Sequence, residues 1–398
     1  MSIAPQASKT GYLTRNIWLV GFISLFTDMA SEMLYPVMPL YLKEAGYGIL
    51  FIGVLEGLAE AIAGLSKGYF GQWSDNLQKR VPFIQTGYSL SALSKPMLVL
   101  FQHPAWVLFC RSTDRLGKGI RTAPRDAYLS AQAVPEQRGR IFGFHRSMDT
   151  VGAFAGPLLG LIFLYFRPGD YYWLFLLAFF PGLLSIGFTF LLKEEVIAED
   201  QIKKRPGILE SFGYWKKAST DYQKLVIGLL AFALVNSSDI FLLLYLKESG
   251  LPDYQTLLMY ILYNLIYALT AYPMGLLSDK LGRKNIFILG LILFAACYGC
   301  LGFSNNILAF GVVFGTYGLY AAATEGIGKA WLSVVCQKQE VATAFGFFTS
   351  LQSIATLLAS SLAGLVWKVF GSKVLLMGTS VAAICIVIYF LLTLREEK

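Results

Sequence analysis

Gly275-Leu-Leu-Ser-Asp279-Lys-Leu-Gly282-Arg283-Lys284 restates, 204 residues on, the stretch Gly71-Gln-Trp-Ser-Asp75-Asn-Leu-Gln-Lys-Arg80. The same offset carries Tyr41-Leu-Lys-Glu-Ala-Gly46 onto Tyr245-Leu-Lys-Glu-Ser-Gly250. Two later pairs keep the order. Thr113-Asp114-Arg-Leu-Gly117-Lys118 returns as Thr324-Glu325-Gly-Ile-Gly328-Lys329, and Phe142-Gly-Phe-His-Arg-Ser147 as Phe345-Gly-Phe-Phe-Thr-Ser350. Four matches in one order mark an internal duplication of about half the chain.

What is duplicated is apolar. The 398 residues are 56% hydrophobic and 15% charged, with a mean hydropathy of +0.56. Soluble domains carry about 25% charged residues, so a soluble protein is excluded, as are collagen-like, disordered and disulfide-scaffold chains. Twelve mostly apolar segments follow one another, at about 16–42, 49–74, 81–101, 104–130, 140–166, 171–192, 223–246, 254–278, 284–304, 307–336, 342–369 and 373–394. Each is long enough to cross a hydrocarbon layer of roughly 30 Å as a helix, and too uniformly apolar for the alternating strands of a barrel. The expected fold is all-α, with twelve transmembrane helices. The first segment holds Asp28 and Glu32 and no cleavage site, so it reads as a span and not as a signal peptide.

The basic residues set the expected orientation. With the N-terminus inside, 21 of the 33 Lys and Arg fall on inside termini and loops, Arg121 and Arg125 among them; five fall outside and seven within spans. Positive residues mark the cytoplasmic side, which places both termini in the cytoplasm. The pI of 9.1 is thereby explained without nucleic acid. The charged connection 193–222 divides the spans six and six. The expected units are an N-terminal bundle, 1–192, a cytoplasmic linker, 193–222, with an interfacial stretch Ile208–Trp215, and a C-terminal bundle, 223–398.

On these residues the chain resembles the major facilitator superfamily. Gly275, Asp279, Gly282, Arg283 and Lys284 match that family's Gly-x-x-x-Asp-[Arg/Lys]-x-Gly-[Arg/Lys]-[Arg/Lys] signature at every position. The first copy, with Gly71, Asp75 and Arg80, departs at Asn76 and Gln78. The resemblance implies two pseudo-symmetric six-helix bundles rocking around a central site, and a latch in which the signature Asp caps a neighbouring helix N-terminus and holds the halves in the outward-facing state. The N-half departures imply a weaker latch. Gly143, Gly152, Gly156-Pro157 and Gly160 are similar to the antiporter motif of proton-driven drug exporters, lacking its final glycine at Leu161. The bland reading of the same glycines is close helix packing. In span 4 either Arg111 or Arg115 fits the exporters' arginine.

Independent of any family, fifteen ionisable groups lie within the spans. Facing lipid, each would cost roughly 2.5–3.5 kcal/mol, on the order of 40 kcal/mol in all. They are therefore expected to face the bundle interior. Asp28, Glu32 and His145 are the candidates for proton coupling: a carboxyl whose surroundings alternate between water and a fixed guanidinium can take up and release a proton. A permanent structural ion pair is the alternative. Tyr35, Glu60, Arg111, Asp114, Arg115, Lys118, Arg146, Asp149, Asp239, Glu325 and Lys329 are the candidate cavity residues. The bases among them lean toward an anionic cargo, unless they only balance the acids of spans 1 and 2.

The expected function is therefore a secondary transporter in the cell inner (cytoplasmic) membrane, a proton-coupled exporter of a small and anionic organic molecule. An uptake symporter for an anionic nutrient is the second reading, and a receptor or scaffold without transport the third. A membrane enzyme finds no support, since no metal-ligand cluster, histidine-paired nucleophile or nucleotide loop is present. Cys297-Tyr-Gly-Cys300 lies in an apolar helix and reads as small core residues, not as a redox pair. The expected partners are the cargo, protons and lipid, with no cofactor, no metal and no nucleic acid, for a chain acting as a monomer.

Overall fold

The computed structural model describes residues 13–35, 37–38, 41–42, 49–194, 213–303 and 306–394. Among them the spans appear as α1 (Arg15–Leu34), α2 (Ile49–Leu77), α3 (Val81–Met97), α4 (Pro104–Ala131), α5 (Arg138–Phe166) and α6 (Tyr171–Thr189). The second half holds α7 (Thr220–Val235), α8 (Ile240–Glu248), α9 (Asp253–Leu281), α10 (Arg283–Leu301), α11 (Ile307–Val335), α12 (Val341–Phe370) and α13 (Ser372–Thr393). The expected interfacial stretch begins outside the described residues, whose next element is the helical turn Tyr214–Lys217.

Polar residues start these helices where the apolar runs begin. Asp170, Ser219 and Asn306 each accept a backbone N–H of the following turn with a side-chain oxygen, which satisfies a donor that has no intrahelical partner. Eight helices are long and apolar enough to cross a membrane on length and composition alone. α4 is not among them, because one of its faces is charged from Arg111 to Asp126. That face is turned inward: Arg111, Arg121, Arg125 and Asp126 are all buried. The expectation that Arg121 and Arg125 lie in a cytoplasmic loop is corrected here. They extend the stripe of Arg111, Arg115 and Lys118 down the same helix.

α1 is described as far as Leu34, with Tyr35 as its C-cap; span 7, expected to be continuous, is broken. Span 7 is split between α7 and α8 by Asn236-Ser237-Ser238-Asp239. The cause is local. The Ser237 amide turns back to the Val235 carbonyl (3.1 Å), and the Ser238 amide donates to Ser360 Oγ (3.2 Å), so neither continues the helical ladder.

α1 packs on α5 and α6, α2 on α4, and α3 on α4 and α6; in the second half α11 packs on α9 and α10, and α13 on α10 and α7. The halves meet along α5–α9 and α2–α12. These two seams repeat each other residue for residue. A Cβ on Gly143 would lie 2.6 Å from the Ala271 carbonyl oxygen, and one on Gly346 would lie 2.5 Å from that of Lys67. Gly71 and Gly275 are as tightly placed, against the carbonyl oxygens of Ala342 (2.3 Å) and Gly139 (2.4 Å). Glycine is required at all four because the obstacle is backbone.

The two signature loops differ in one turn. Gly282 has φ +88° and ψ 137°, a region L residues avoid. Gln78, at the matching position of the first copy, also has a positive φ, +51°, a conformation that glycine adopts at less cost. Gly282→Ala is expected to cost about 1–2 kcal/mol through backbone strain alone. It would show as a lower Tm of the purified protein, and an unchanged Tm would refute the strain.

Candidate functional site

Between the halves lies a chamber of about 1090 Å³. Its walls come from the end of α1 (Glu32, Tyr35), from α5 (Phe154, Pro157), from the broken segment Asn236–Asp239, from α9 (Tyr260, Asn264) and from α11 (Glu325, Lys329). Gln352 and Thr356 of α12 complete it. A side pocket of about 50 Å³ lies beside it within the first half, lined by Asp28, Ser31, Lys95, Arg111, Asp114, Arg115, Lys118 and Arg121. Glu32 and Tyr35 line both spaces. Asp28, Glu32, Arg111 and Arg115, far apart in sequence, thus share one opening. Within the pocket Asp114 accepts from Ser91 Oγ and lies 3.6 Å from Lys95 Nζ, while Arg121 lies over the Tyr88 ring at 4.4 Å from its centroid.

The packing that brings α1 there is set by glycine. Cβ atoms on Gly152, Gly156 and Gly160 would meet the backbone oxygens of Leu25, Met29 and Met33 at 2.3, 2.5 and 3.0 Å. The contacts step along α1 by four residues, one helical turn at a time. Small residues at this spacing let two backbones approach closely, and α1 is the helix carrying Asp28 and Glu32.

The two signature loops tie the halves together. Asp75 accepts from the backbone N–H groups of Ala342 (3.3 Å) and Thr343 (2.5 Å), and from the Thr343 hydroxyl (2.6 Å). Asp279 accepts from the N–H groups of Gly139 (2.8 Å) and Arg140 (3.0 Å) and from Arg140 Nε (2.8 Å). Each carboxylate thus caps the first turn of a helix in the opposite half, where the positive end of the helix dipole favours an anion. Arg80 pairs with Asp75, and Arg283 Nη2 lies 3.8 Å from Asp279. The N-half carboxylate reaches two backbone N–H groups across the seam, as its copy does, although Asn76 and Gln78 depart from the signature.

Deeper in, charges cross between the halves. Asp126, fully buried on α4, accepts from Arg125 Nε (3.1 Å) and Nη2 (2.9 Å) and lies 2.8 Å from Lys329 Nζ on α11. Arg146 of α5 lies 3.6 Å from Asp149 and 3.7 Å from Glu325, and its Nε donates to the Tyr267 hydroxyl. His145 Nδ1 is 3.7 Å from Asp149, and both residues are buried.

Sequence reasoning missed Asp126. The signal was present: 111, 115, 118, 122 and 125 mark one face of a helix, and Asp126 adjoins it. The side chain of Glu60 lies outside the described residues. Of the five bases expected around the cargo, Lys329 alone borders the main chamber, while Arg111, Arg115 and Lys118 line the side pocket and Arg146 is held by Asp149 and Glu325. The chamber itself presents Glu32, Asp239 and Glu325 against Lys247 and Lys329. An anionic preference does not follow from that lining.

A Major Facilitator Superfamily profile matches residues 20–266 and 245–398. An uncharacterized MFS-type transporter of Methanocaldococcus jannaschii is 33% identical over 381 residues, 94% of this chain and 93% of the relative. The multidrug resistance protein MdtH of Photorhabdus laumondii is 28% identical over 163 residues, 40% of this chain and 39% of its own length. Among solved structures, the human organic anion transporter MFSD10 superposes with a TM-score of 0.78 at 17% identity, covering 94% of this chain and 99% of that one. With the family profile spanning nearly the whole sequence and a full-length relative at one-third identity, the chain is a multi-pass membrane transporter, not an enzyme, and belongs to the Major Facilitator Superfamily.

Proposed function

We propose that the protein is a proton-coupled exporter of a small organic molecule, working by alternating access between an N-terminal bundle (1–192) and a C-terminal bundle (223–398). The observation that carries this reading is the double position of Glu32, on the wall of the chamber and in the charged side pocket with Asp28. A proton exchanged in the pocket and a cargo held in the chamber then act on the same turn of α1. Arg111 and Arg115, which cannot deprotonate, keep the counter-charge fixed while the carboxyls change state.

The end tied by the signature loops carries basic residues and is assigned to the cytoplasm, with both termini, by the bias of Lys and Arg. On that assignment we read the state as outward-facing, ready to release cargo. The inner membrane is the assigned location, and the protein is read as acting as a monomer. The exporter-like glycines of α5 and the partial similarity to MdtH support the outward direction.

Uptake of fluorescent amphipathic dyes into inverted vesicles with an acid interior tests the reading. Glu32→Gln and Asp28→Asn are each expected to lower proton-driven dye flux at least tenfold while leaving the protein folded and inserted. Wild-type flux in both variants would end the proton assignment.

A further inference from the structure

The broken span 7 puts an unusual set of oxygens on the chamber wall. Asp239 accepts from the Tyr317 hydroxyl (2.7 Å). Among the described residues no Lys or Arg lies within ion-pair distance of its carboxylate. Arg146 is held by Asp149, Glu325 and Tyr267, and Lys247 stands eight residues farther along α8, about 12 Å of helix. Beside Asp239, the Asn236 amide donates to the Tyr320 hydroxyl (2.9 Å), which leaves its Oδ1 buried without a donor. The Ser237 side chain is 5% exposed, and its hydroxyl faces that of Tyr298 without the geometry of a hydrogen bond. All three residues line the chamber.

The backbone adds to this set. α7 stops at Val235: the Asn236 amide still closes on the Phe232 carbonyl, but the Ser237 and Ser238 amides go to Val235 and Ser360, so the Ala233 and Leu234 carbonyls lack the helical amide four residues on. The C-terminal end of a helix carries partial negative charge and attracts cations, and half-helix ends of this kind hold cations in other membrane bundles. Carboxylate, amide oxygen, hydroxyl and carbonyl end all favour positive charge. None of them supplies it.

We infer that the unwound segment Asn236–Asp239 is a subsite for a small cationic group, either the ammonium of an organic cargo or a sodium ion. The two share the chemistry of a monovalent cation dehydrated onto oxygen donors. The inference rests on reading the chamber as the cargo site, and it is independent of proton coupling and of transport direction. It assigns the cationic end of a cargo to the second half of the chamber, opposite the charged side pocket of the first half.

Binding to purified full-length protein in nanodiscs tests it without any flux measurement. Benzylammonium is compared with benzyl alcohol, its neutral analogue, and sodium chloride with N-methylglucamine chloride at constant ionic strength. A saturable rise in Tm with benzylammonium and not with benzyl alcohol identifies an organic ammonium site. A rise with sodium identifies an inorganic one. Either supports the subsite if Asp239→Asn weakens the binding at least tenfold while Asp170→Asn, on the loop before α6, does not. Tyr317→Phe, which keeps the carboxylate, guards against misfolding of the first variant and is expected to retain binding with altered affinity. No response to either cation, or an unchanged affinity in Asp239→Asn, overturns the subsite and leaves the exporter reading to its own test.

Discussion

Asp126→Asn is expected to destabilise the protein by about 3–5 kcal/mol, the usual cost of removing one partner from a buried ion pair. Asp126 is the shared carboxylate of Arg125 and Lys329, on opposite sides of the seam between the halves. Its neutralisation leaves two positive charges facing a fully buried amide. The double variant Asp126→Asn/Lys329→Met relieves one of them and should recover part of the loss. The four proteins form a double-mutant cycle, measured as thermal unfolding in one detergent, with an expected coupling of about 1–3 kcal/mol. A single variant within about 0.5 kcal/mol of wild type would show the pair to be dispensable. The cross-half bond also makes a directional prediction. Losing it should weaken the tie between the halves and raise the labelling of cysteines introduced below Lys329.

Gly156→Ala is expected to be about as damaging, although it adds a single methyl group. The added carbon would sit 2.5 Å from the Met29 carbonyl oxygen and 2.8 Å from the Met33 amide nitrogen. A flexible side chain could step aside, but a helix backbone moves only as a whole. α1 must then shift away from α5 and take Glu32 with it. The cost of overpacking a tight interface is typically 1–3 kcal/mol, and more where backbone is the obstacle. Transport should fall at least tenfold, because Glu32 no longer lies on both walls. Gly187→Ala provides the contrast. It faces open space near the end of α6, and is expected to leave the protein unchanged or more stable by up to about 1 kcal/mol. Equal behaviour of the two variants would refute the close approach.

The two variants also separate what kinds of residue can be read in advance. The glycines of α5 were visible as a motif, but their partner was not. Only the assembled bundle shows that Gly152, Gly156 and Gly160 face α1 while Gly143 faces α9. Asp126 was visible as a letter in a basic run and was overlooked as a site. Spans are bounded by apolar length, and a charged face at the end of α4 looks like loop until another helix covers it. The bases of span 4 illustrate the same limit. Arg111, Arg115 and Lys118 were rightly kept away from lipid by their desolvation cost, yet nothing in that cost distinguishes a main chamber from a pocket beside it.

The sequence alone determined the membrane class, the number of spans and the duplication, because each depends on a property that is local in the chain. Apolar length matches bilayer thickness, and the repeat shows as recurring letters at a fixed distance. It also determined that the charges must be hidden. Tertiary structure decided who hides them: which carboxylate meets which base across the seam, where span 7 unwinds, and which of the five bases borders the main chamber. Those outcomes depend on distances of a few ångströms between residues hundreds of positions apart. Electrostatic and steric energies change by several kcal/mol over such distances, and no local property of the chain fixes them.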